Sequence, residues 1–212
     1  MFAVDRIEVA GASTAVAAEV RAALAPVGGE SLVGLDGAGL ERRLLAVPSV
    51  YEARYDRAFP HTLRIEVRPE RPVAVLRRGG GAWIVSARGR VIRATSPGAS
   101  RRLPRIWLPA AVGPMTGETL ADGAGGLQAR TLGAILSTGF VPRIRFVTVP
   151  KGAVSFGLRS GVELRLGRPV ELRLKLTIAR RVLPSLPSGS YLDLTVPERP
   201  VSGTNPQVES RG

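Results

Sequence analysis

The sequence predicts an α+β protein built in two parts, and three observations predict it. Apolar residues recur at helical spacing twice within the first fifty residues, period-two alternation dominates from Tyr51 onward, and Pro69-Glu70-Arg71-Pro72 separates a mixed segment from a mostly β one. With 212 residues, 44% of them hydrophobic, the chain can bury a core in one large or two small domains. We place the first domain at residues 1–71 and the second at 72–200. Residues 201–212 hold too few apolar side chains to order themselves and are assigned to a flexible C-terminal tail.

In the first part, Ile7 and Val9 alternate with Arg6 and Glu8, which gives a short half-buried strand that stops at Gly11. Ser13 or Thr14 caps a helix in which Val16, Val20, Ala23 and Leu24 share a face, and Pro26-Val27-Gly28-Gly29 ends it. Asp36 caps a second helix with Leu40, Leu44 and Val47 on one face, and Pro48 disfavours helix at the residue before it. Tyr51, Ala53 and Tyr55 then alternate with Glu52, Arg54 and Asp56. After a turn at Phe59-Pro60-His61, with the aromatic ring buried, Leu63, Ile65 and Val67 alternate with Thr62, Arg64, Glu66 and Arg68. Two antiparallel strands follow two helices, so the order is β-α-α-β-β with both helices over one apolar sheet face.

In the second part, strands are expected at Val73 to Leu76, Trp83 to Val85 and Val91-Ile92, with Ala87-Arg88-Gly89 as a turn and Gly79-Gly80-Gly81 as a hairpin tip. Leu103 to Ile106 is extended, Pro109 to Gly126 is a loop, and Leu127, Leu132, Ile135 and Leu136 mark a helix ending at Gly139. Strands follow at Ile144 to Val149, Val154 to Leu158 and Val162 to Leu166. Residues 169–183 fit two periods: Leu172, Leu174, Leu176 and Ile178 alternate, while Leu172, Leu176, Ala179 and Leu183 share a helical face. Length favours the helix, with Pro169 near its first position. Tyr191 to Val196 is the last strand expected.

Chemistry is constrained by what the chain lacks. It has no cysteine and a single histidine, His61, which removes disulfides, thiolate metal sites, Cys nucleophiles and multi-histidine metal centres together. His61 reads as a solvent-facing turn residue. Neither Glu66 with Glu70 nor Glu163 with Glu171 is brought to a pocket by anything in the sequence, and the glycine run lacks the lysine and context of a phosphate loop. No catalytic, cofactor or metal residue is assigned, and the protein is expected not to be an enzyme. The formal charge is +13, carried by 28 Arg and 2 Lys; that skew reads as compositional bias, and we discount it as a functional signal. Its densest run, Arg77 to Arg105, reads as solvated surface first, contact with an anionic membrane second and nucleic acid third, because aromatics do not interleave with it. No window approaches the roughly 18 apolar residues of a membrane span.

Three stretches carry a resemblance: Ile7-Glu8-Val9-Ala10-Gly11, Leu44-Leu45-Ala46-Val47-Pro48-Ser49-Val50, and Phe59 to Val67 in the β-α-α-β-β frame. They resemble the POTRA domain of the FtsQ/DivIB cell-division family. Glu70-Arg71-Pro72-Val73-Ala74, Leu103-Pro104, Gly161 to Gly167 and Leu192-Asp193-Leu194 with Pro197-Glu198-Arg199-Pro200-Val201 continue the likeness in order over residues 2–203. The resemblance implies a non-enzymatic divisome scaffold of the bacterial cell membrane at the septum. Its POTRA and β domains would lie on the extracytoplasmic face and join partners of the FtsB and FtsL type, with no small-molecule substrate and no nucleic acid. It also implies a transmembrane helix just before the first strand; this chain opens where that helix would end, so Met1 is expected to be an artificial or misassigned start. Ser86 stands where the family often has an acidic residue. The alternative is a polypeptide-docking POTRA module of a secretion or envelope-assembly system.

The partner-binding residues expected are Tyr191, Leu192, Asp193, Leu194, Thr195 and Val196. The family docks a partner at the C-terminal end of its β domain, and Pro197 and Pro200 would cap this strand and leave an edge of defined length for β-augmentation. Which face points outward is open at this stage.

Overall fold

The computed structural model describes residues 2–140 and 142–204. It contains two compact units: residues 1–71 together with 115–118, and residues 72–114 together with 119 onward.

The first unit follows the expected order. β1 (Arg6–Ala10) leads to α1 (Thr14–Ala23), α2 (Gly37–Ala46), β2 (Val50–Ala58) and β3 (Thr62–Pro69). Ser13 is the N-cap of α1, its hydroxyl accepting from the Val16 N–H at 3.5 Å. Asp36 occupies the N-cap of α2 without a side-chain cap bond. The sheet order is β1-β3-β2, with β1 parallel and β2 antiparallel to β3. Val20, Leu24, Leu40, Leu44, Val50, Leu63, Ile65 and Val67 are buried together between helices and sheet. The opposite face pairs charges of opposite sign across strands: Glu8 with Arg64, Glu52 with Arg68 and Arg54 with Glu66.

Two details of the first unit differ from expectation. Tyr51 and Tyr55 are exposed because β2 is an edge strand: Tyr55 stands opposite Ile65 on the core side, but at the rim, with its ring beside Gly37 at the start of α2. Phe59 is 55% exposed instead of buried, and its ring packs edge-on against Phe2 at 5.3 Å.

The second unit is a nine-stranded mixed sheet. Its strands are β4 (Pro72–Arg78), β5 (Gly81–Ser86), β6 (Val91–Ala94), β7 (Arg105–Trp107), β8 (Ile144–Thr148), β9 (Val154–Leu158), β10 (Glu163–Gly167), β11 (Ser190–Asp193) and β12 (Val201–Thr204). They lie in the order β12-β11-β10-β9-β8-β7-β4-β5-β6. Parallel neighbours need a long crossover; β5 and β6 lie between β4 and β7 in the chain, and the two helices supply the other two crossovers. α3 (Gly126–Ser137) links β7 to β8, and α4 (Leu172–Val182) links β10 to β11. That requirement settles the ambiguous segment as helix. Pro169 precedes this helix instead of opening it; Glu171 is the N-cap, in the left-handed region at φ 54°.

Leu132 and Ile135 from α3 and Leu176 and Ala179 from α4 join Phe156, Leu164, Leu192 and Leu194 in the main core. A smaller cluster gathers Val75, Ala82, Ile84 and Ile92. At the β5–β6 turn the Ser86 hydroxyl accepts from the Arg90 N–H at 3.2 Å, so serine supplies the turn acceptor that an acidic side chain would otherwise provide.

The tail assignment needs correcting. Residues 201–204 form β12, which pairs antiparallel with β11 through Asp193↔Val201, Leu192↔Ser202, Tyr191↔Gly203 and Ser190↔Thr204. The strand has almost no apolar content of its own and is ordered by ladder bonds to β11. The rest of the assigned tail, 205–212, lies outside the described residues.

Candidate interaction edge of the C-terminal sheet

The expected partner strand does not run unbroken from Tyr191 to Val196. β11 ends at Asp193 because the Asp193 carboxylate accepts from the Thr195 N–H at 2.8 Å, an Asx-type turn that takes the chain out of the ladder. Leu194 keeps one tie, its N–H donating to the Arg165 carbonyl at 2.8 Å. Pro197 and Pro200 lie in the connection to β12, so they shape a hairpin instead of closing a free edge. β11 therefore sits between β10 and β12, and among the described residues the sheet ends on the outer side of β12.

The six residues divide by face. Leu192 and Leu194 are buried in the main core, whereas Tyr191 and Asp193 turn toward the partly exposed side and Thr195 and Val196 are exposed. On that side Glu163 and Arg165 of β10 stand opposite Tyr191 and Asp193 in register. Arg165 donates to both oxygens of Glu163, at 3.1 and 3.0 Å, and its guanidinium lies 4.3 Å from the centre of the Tyr191 ring. These hydrogen bonds to Glu163 hold the Arg165 pKa above its ordinary value. Gly203 faces the same ring: a Cβ there would lie 3.0 Å from Tyr191 atoms. The end of the sheet thus presents an aromatic ring, a fixed guanidinium and a short strand edge, a surface suited to recognising a polypeptide backbone and a few side chains.

Sequence reasoning missed Lys175. This side chain is 1% exposed and donates to the carbonyls of Leu166 at 2.7 Å and Arg168 at 3.0 Å, which pins α4 to the end of β10. Burial pushes its pKa below that of an ordinary lysine. The signal was present: Lys175 falls between Leu172 and Ala179 on the apolar face of α4, where a solvated lysine would not sit.

His61 is where the sequence put it, half-exposed beside the β2–β3 turn, its Nδ1 3.2 Å from the Ala3 carbonyl and 3.4 Å from Asp5. The glutamates set aside as acid–base pairs have structural surroundings: Glu70 is buried with its N–H donating to the Ser49 carbonyl, and Glu163 binds Arg165. No three His, Cys, Asp or Glu residues gather in metal-binding geometry among the described residues, and no helix among them is long and apolar enough to cross a membrane. Much of the Arg77 to Arg105 run is tied to backbone. Arg77 donates to the Pro97 carbonyl, Arg78 to that of Ala110, and Arg105 to those of Leu103, Ser100 and Ala99.

Comparison with known proteins gives matches over both units. Residues 2–69 match the family model described as POTRA domain, FtsQ-type, and residues 74–195 match Cell division protein FtsQ/DivIB, C-terminal. The chain is 27% identical over 206 residues to Cell division protein FtsQ of Streptomyces venezuelae, covering 95% of this chain and 74% of the relative. A protein of the same name from Anaeromyxobacter sp. is 29% identical over 170 residues, 74% of this chain and 54% of that one. Another, from Streptomyces bingchenggensis, is 31% identical over 108 residues, 50% of this chain and 40% of that one.

Proposed function

Because this chain belongs to the FtsQ/DivIB family of cell division proteins, we propose that it acts as a non-enzymatic scaffold on the extracytoplasmic face of the bacterial cell membrane at the septum. There it would hold partners of the FtsB and FtsL type. The observation that carries this reading is the end of the nine-stranded sheet. β12 is four residues long, its outer side faces no further strand among the described residues, and its first residue, Val201, is half exposed. A strand edge of that length offers ladder groups to one extended segment while remaining too short to invite uncontrolled pairing. In this scheme Tyr191, Asp193, Thr195 and Val196 contribute side-chain contacts around the edge, and Leu192 and Leu194 hold β11 in place from the core. The partner strand adds to β12 instead of to β11.

The test is binding of the purified chain to the extracytoplasmic part of its FtsB-like partner. The Leu194 N–H points to β10, so by alternation Tyr191 and Asp193 face β12 and bond Gly203 and Val201; the Ser202 N–H then points outward, and Ser202→Pro removes an outward donor while leaving the ladder to β11 intact. We expect that variant to stay folded and bind at least about tenfold more weakly, which is about 1.4 kcal/mol. If Ser202→Pro and a truncation after Pro200 stay folded and bind as tightly as the parent, the docking edge lies elsewhere.

A further inference from the structure

The net positive charge of this chain is confined to one part of it. Residues 1–71 hold 9 Arg against 10 Asp and Glu, whereas residues 72–212 hold 21 Arg and Lys against 7. A coding bias alone would spread arginine without regard to carboxylates. The first unit matches its arginines with acids across strands, and the second leaves a set of them unmatched on one surface.

Three adjoining hollows of the second unit make that surface. The largest, about 660 Å³, lies among Leu103-Pro104, the C-terminal half of α3 and the start of β8; Leu132, Leu136 and Ile144 form its floor, and Arg101, Arg102, Arg143 and Arg159 its rim. The next, about 410 Å³, shares Pro142, Arg143 and Arg159 with it and adds Phe140, Leu158 and Leu183. The third, about 380 Å³, shares Phe140 with the second and adds Leu176, Arg173 and Arg180. Together they form one trough, with the Arg180 guanidinium 5.6 Å from the centre of the Phe140 ring.

No residue lining any of the three hollows is acidic. Among the described residues, Arg101, Arg102, Arg143 and Arg159 make no ion pair, in contrast to Arg6, Arg54, Arg64, Arg68, Arg130 and Arg165. The repulsion is felt within the protein: after burial, the charges of Arg77 and Arg159 are what hold the Arg105 pKa below its ordinary value. A guanidinium is a planar fork that pairs bidentately with a carboxylate, and an apolar floor beneath such a rim gains by covering a hydrophobic side chain. A planar bilayer surface cannot fill a trough, whereas a single polypeptide segment can.

We propose that this arginine-rimmed trough is a second protein-docking site. Its occupant is a partner segment that combines Asp or Glu with leucine- or phenylalanine-sized anchors. The site is separate from the β12 edge and does not depend on it. Apolar anchors seat on Leu132, Leu136, Ile144 and Phe140, and carboxylates pair with the arginines of the rim.

The experiment selects short randomised peptides displayed on phage against the purified chain and measures the enriched sequences as labelled peptides by fluorescence anisotropy. The arms are the parent, the double variant Arg102→Gln/Arg143→Gln, and Ser202→Pro. Arg102 and Arg143 are exposed, and no side-chain hydrogen bond of theirs is broken by the change, so the variant is expected to melt with the parent. Enriched peptides should carry acidic and large apolar residues together, lose binding when Asp and Glu become Asn and Gln, and bind the double variant about tenfold more weakly, or about 1.4 kcal/mol. Binding to Ser202→Pro should be unchanged, which separates this site from the sheet edge. The proposal is overturned if enriched peptides lack acidic residues, if none enrich, or if the double variant binds as tightly as the parent. It is also overturned if vesicles of phosphatidylglycerol and phosphatidylcholine, and not peptides, lose binding in the double variant; the surface is then a lipid contact.

Discussion

In the first unit the sheet face away from the helices carries Glu8, Glu52, Arg54, Arg64, Glu66 and Arg68, each opposite a residue of the other sign, with Arg64 3.2 Å from Glu8 and Arg68 2.9 Å from Glu52. In the second unit the surface around α3 and the start of β8 carries arginines with no acid among them. Both units bury helices against a sheet, and both draw on the same arginine-rich composition. They differ in what that composition is used for. Exposed pairs such as those of the first unit add little stability one by one, but they favour the correct strand register and leave almost no field outside. An unmatched set does the reverse: apart from the Arg159 guanidinium, which donates to the Arg101 carbonyl, it makes no side-chain hydrogen bond among the described residues of its own unit, and it projects a field that attracts an acidic partner.

The sharpest way to break this comparison is to ask whether each unit stands on its own core. Phe156 is fully buried in the second unit, and Phe156→Ala should cost about 3 to 5 kcal/mol. Leu44 is its counterpart in the first, and Leu44→Ala should cost about 2 to 5 kcal/mol. Denaturant unfolding followed by hydrogen exchange should show each loss of protection in the unit that carries the change. Equal loss in both units from either substitution would mean that they unfold as one, and the contrast drawn above would describe surfaces only.

A smaller effect is expected at Lys175, the one lysine buried among the arginines of the second unit. Lys175→Ala leaves the Leu166 and Arg168 carbonyls without their donor and should cost about 1 to 3 kcal/mol. The sign of its pH dependence follows from burial. A lysine with a lowered pKa releases its proton in the folded state before it does so unfolded, so the folded state binds fewer protons in the window just below the ordinary value of 10.5. Stability relative to Lys175→Met should therefore rise with pH through that window and be lost as pH falls through the lowered value. A difference between the two stabilities that is flat with pH would show that burial does not perturb the amine.

The smallest effect belongs to the paired face. Hydrogen bonding from Arg68 holds the Glu52 carboxyl below its ordinary 4.5, so its contribution is present above that value and is lost as pH falls through the lowered one. Glu52→Gln should lower neutral-pH melting only slightly, because the pair is exposed, and the parent and variant curves should converge as pH falls through the lowered value. A large loss at neutral pH would mean that these surface pairs carry more of the fold than their exposure allows.

Nearly every element of this protein was legible in the sequence, because the signals are local. Alternation at Leu63, Ile65 and Val67 and the helical stripe of Leu40 and Leu44 state which face is buried wherever the segment ends up. The outward-facing members of the last strand were half legible: the alternation of Leu192 and Leu194 with Tyr191 and Asp193 was visible, but not which set met the core. What the tertiary structure alone decided is non-local. β12 is a strand only because β11 lies beside it; Val201-Ser202-Gly203-Thr204 has no periodicity to announce it, and its ladder bonds come from residues about ten positions earlier. β7 is three residues long and is held by parallel neighbours about thirty and forty residues away in sequence, β4 and β8. The trough draws its rim from Arg101, Arg102, Arg143 and Arg159, which stand apart in sequence and meet only where α3 returns the chain to the sheet. Local periodicity encodes burial one segment at a time, whereas an edge or a charged groove is a property of segments brought together by ladder bonds and crossovers.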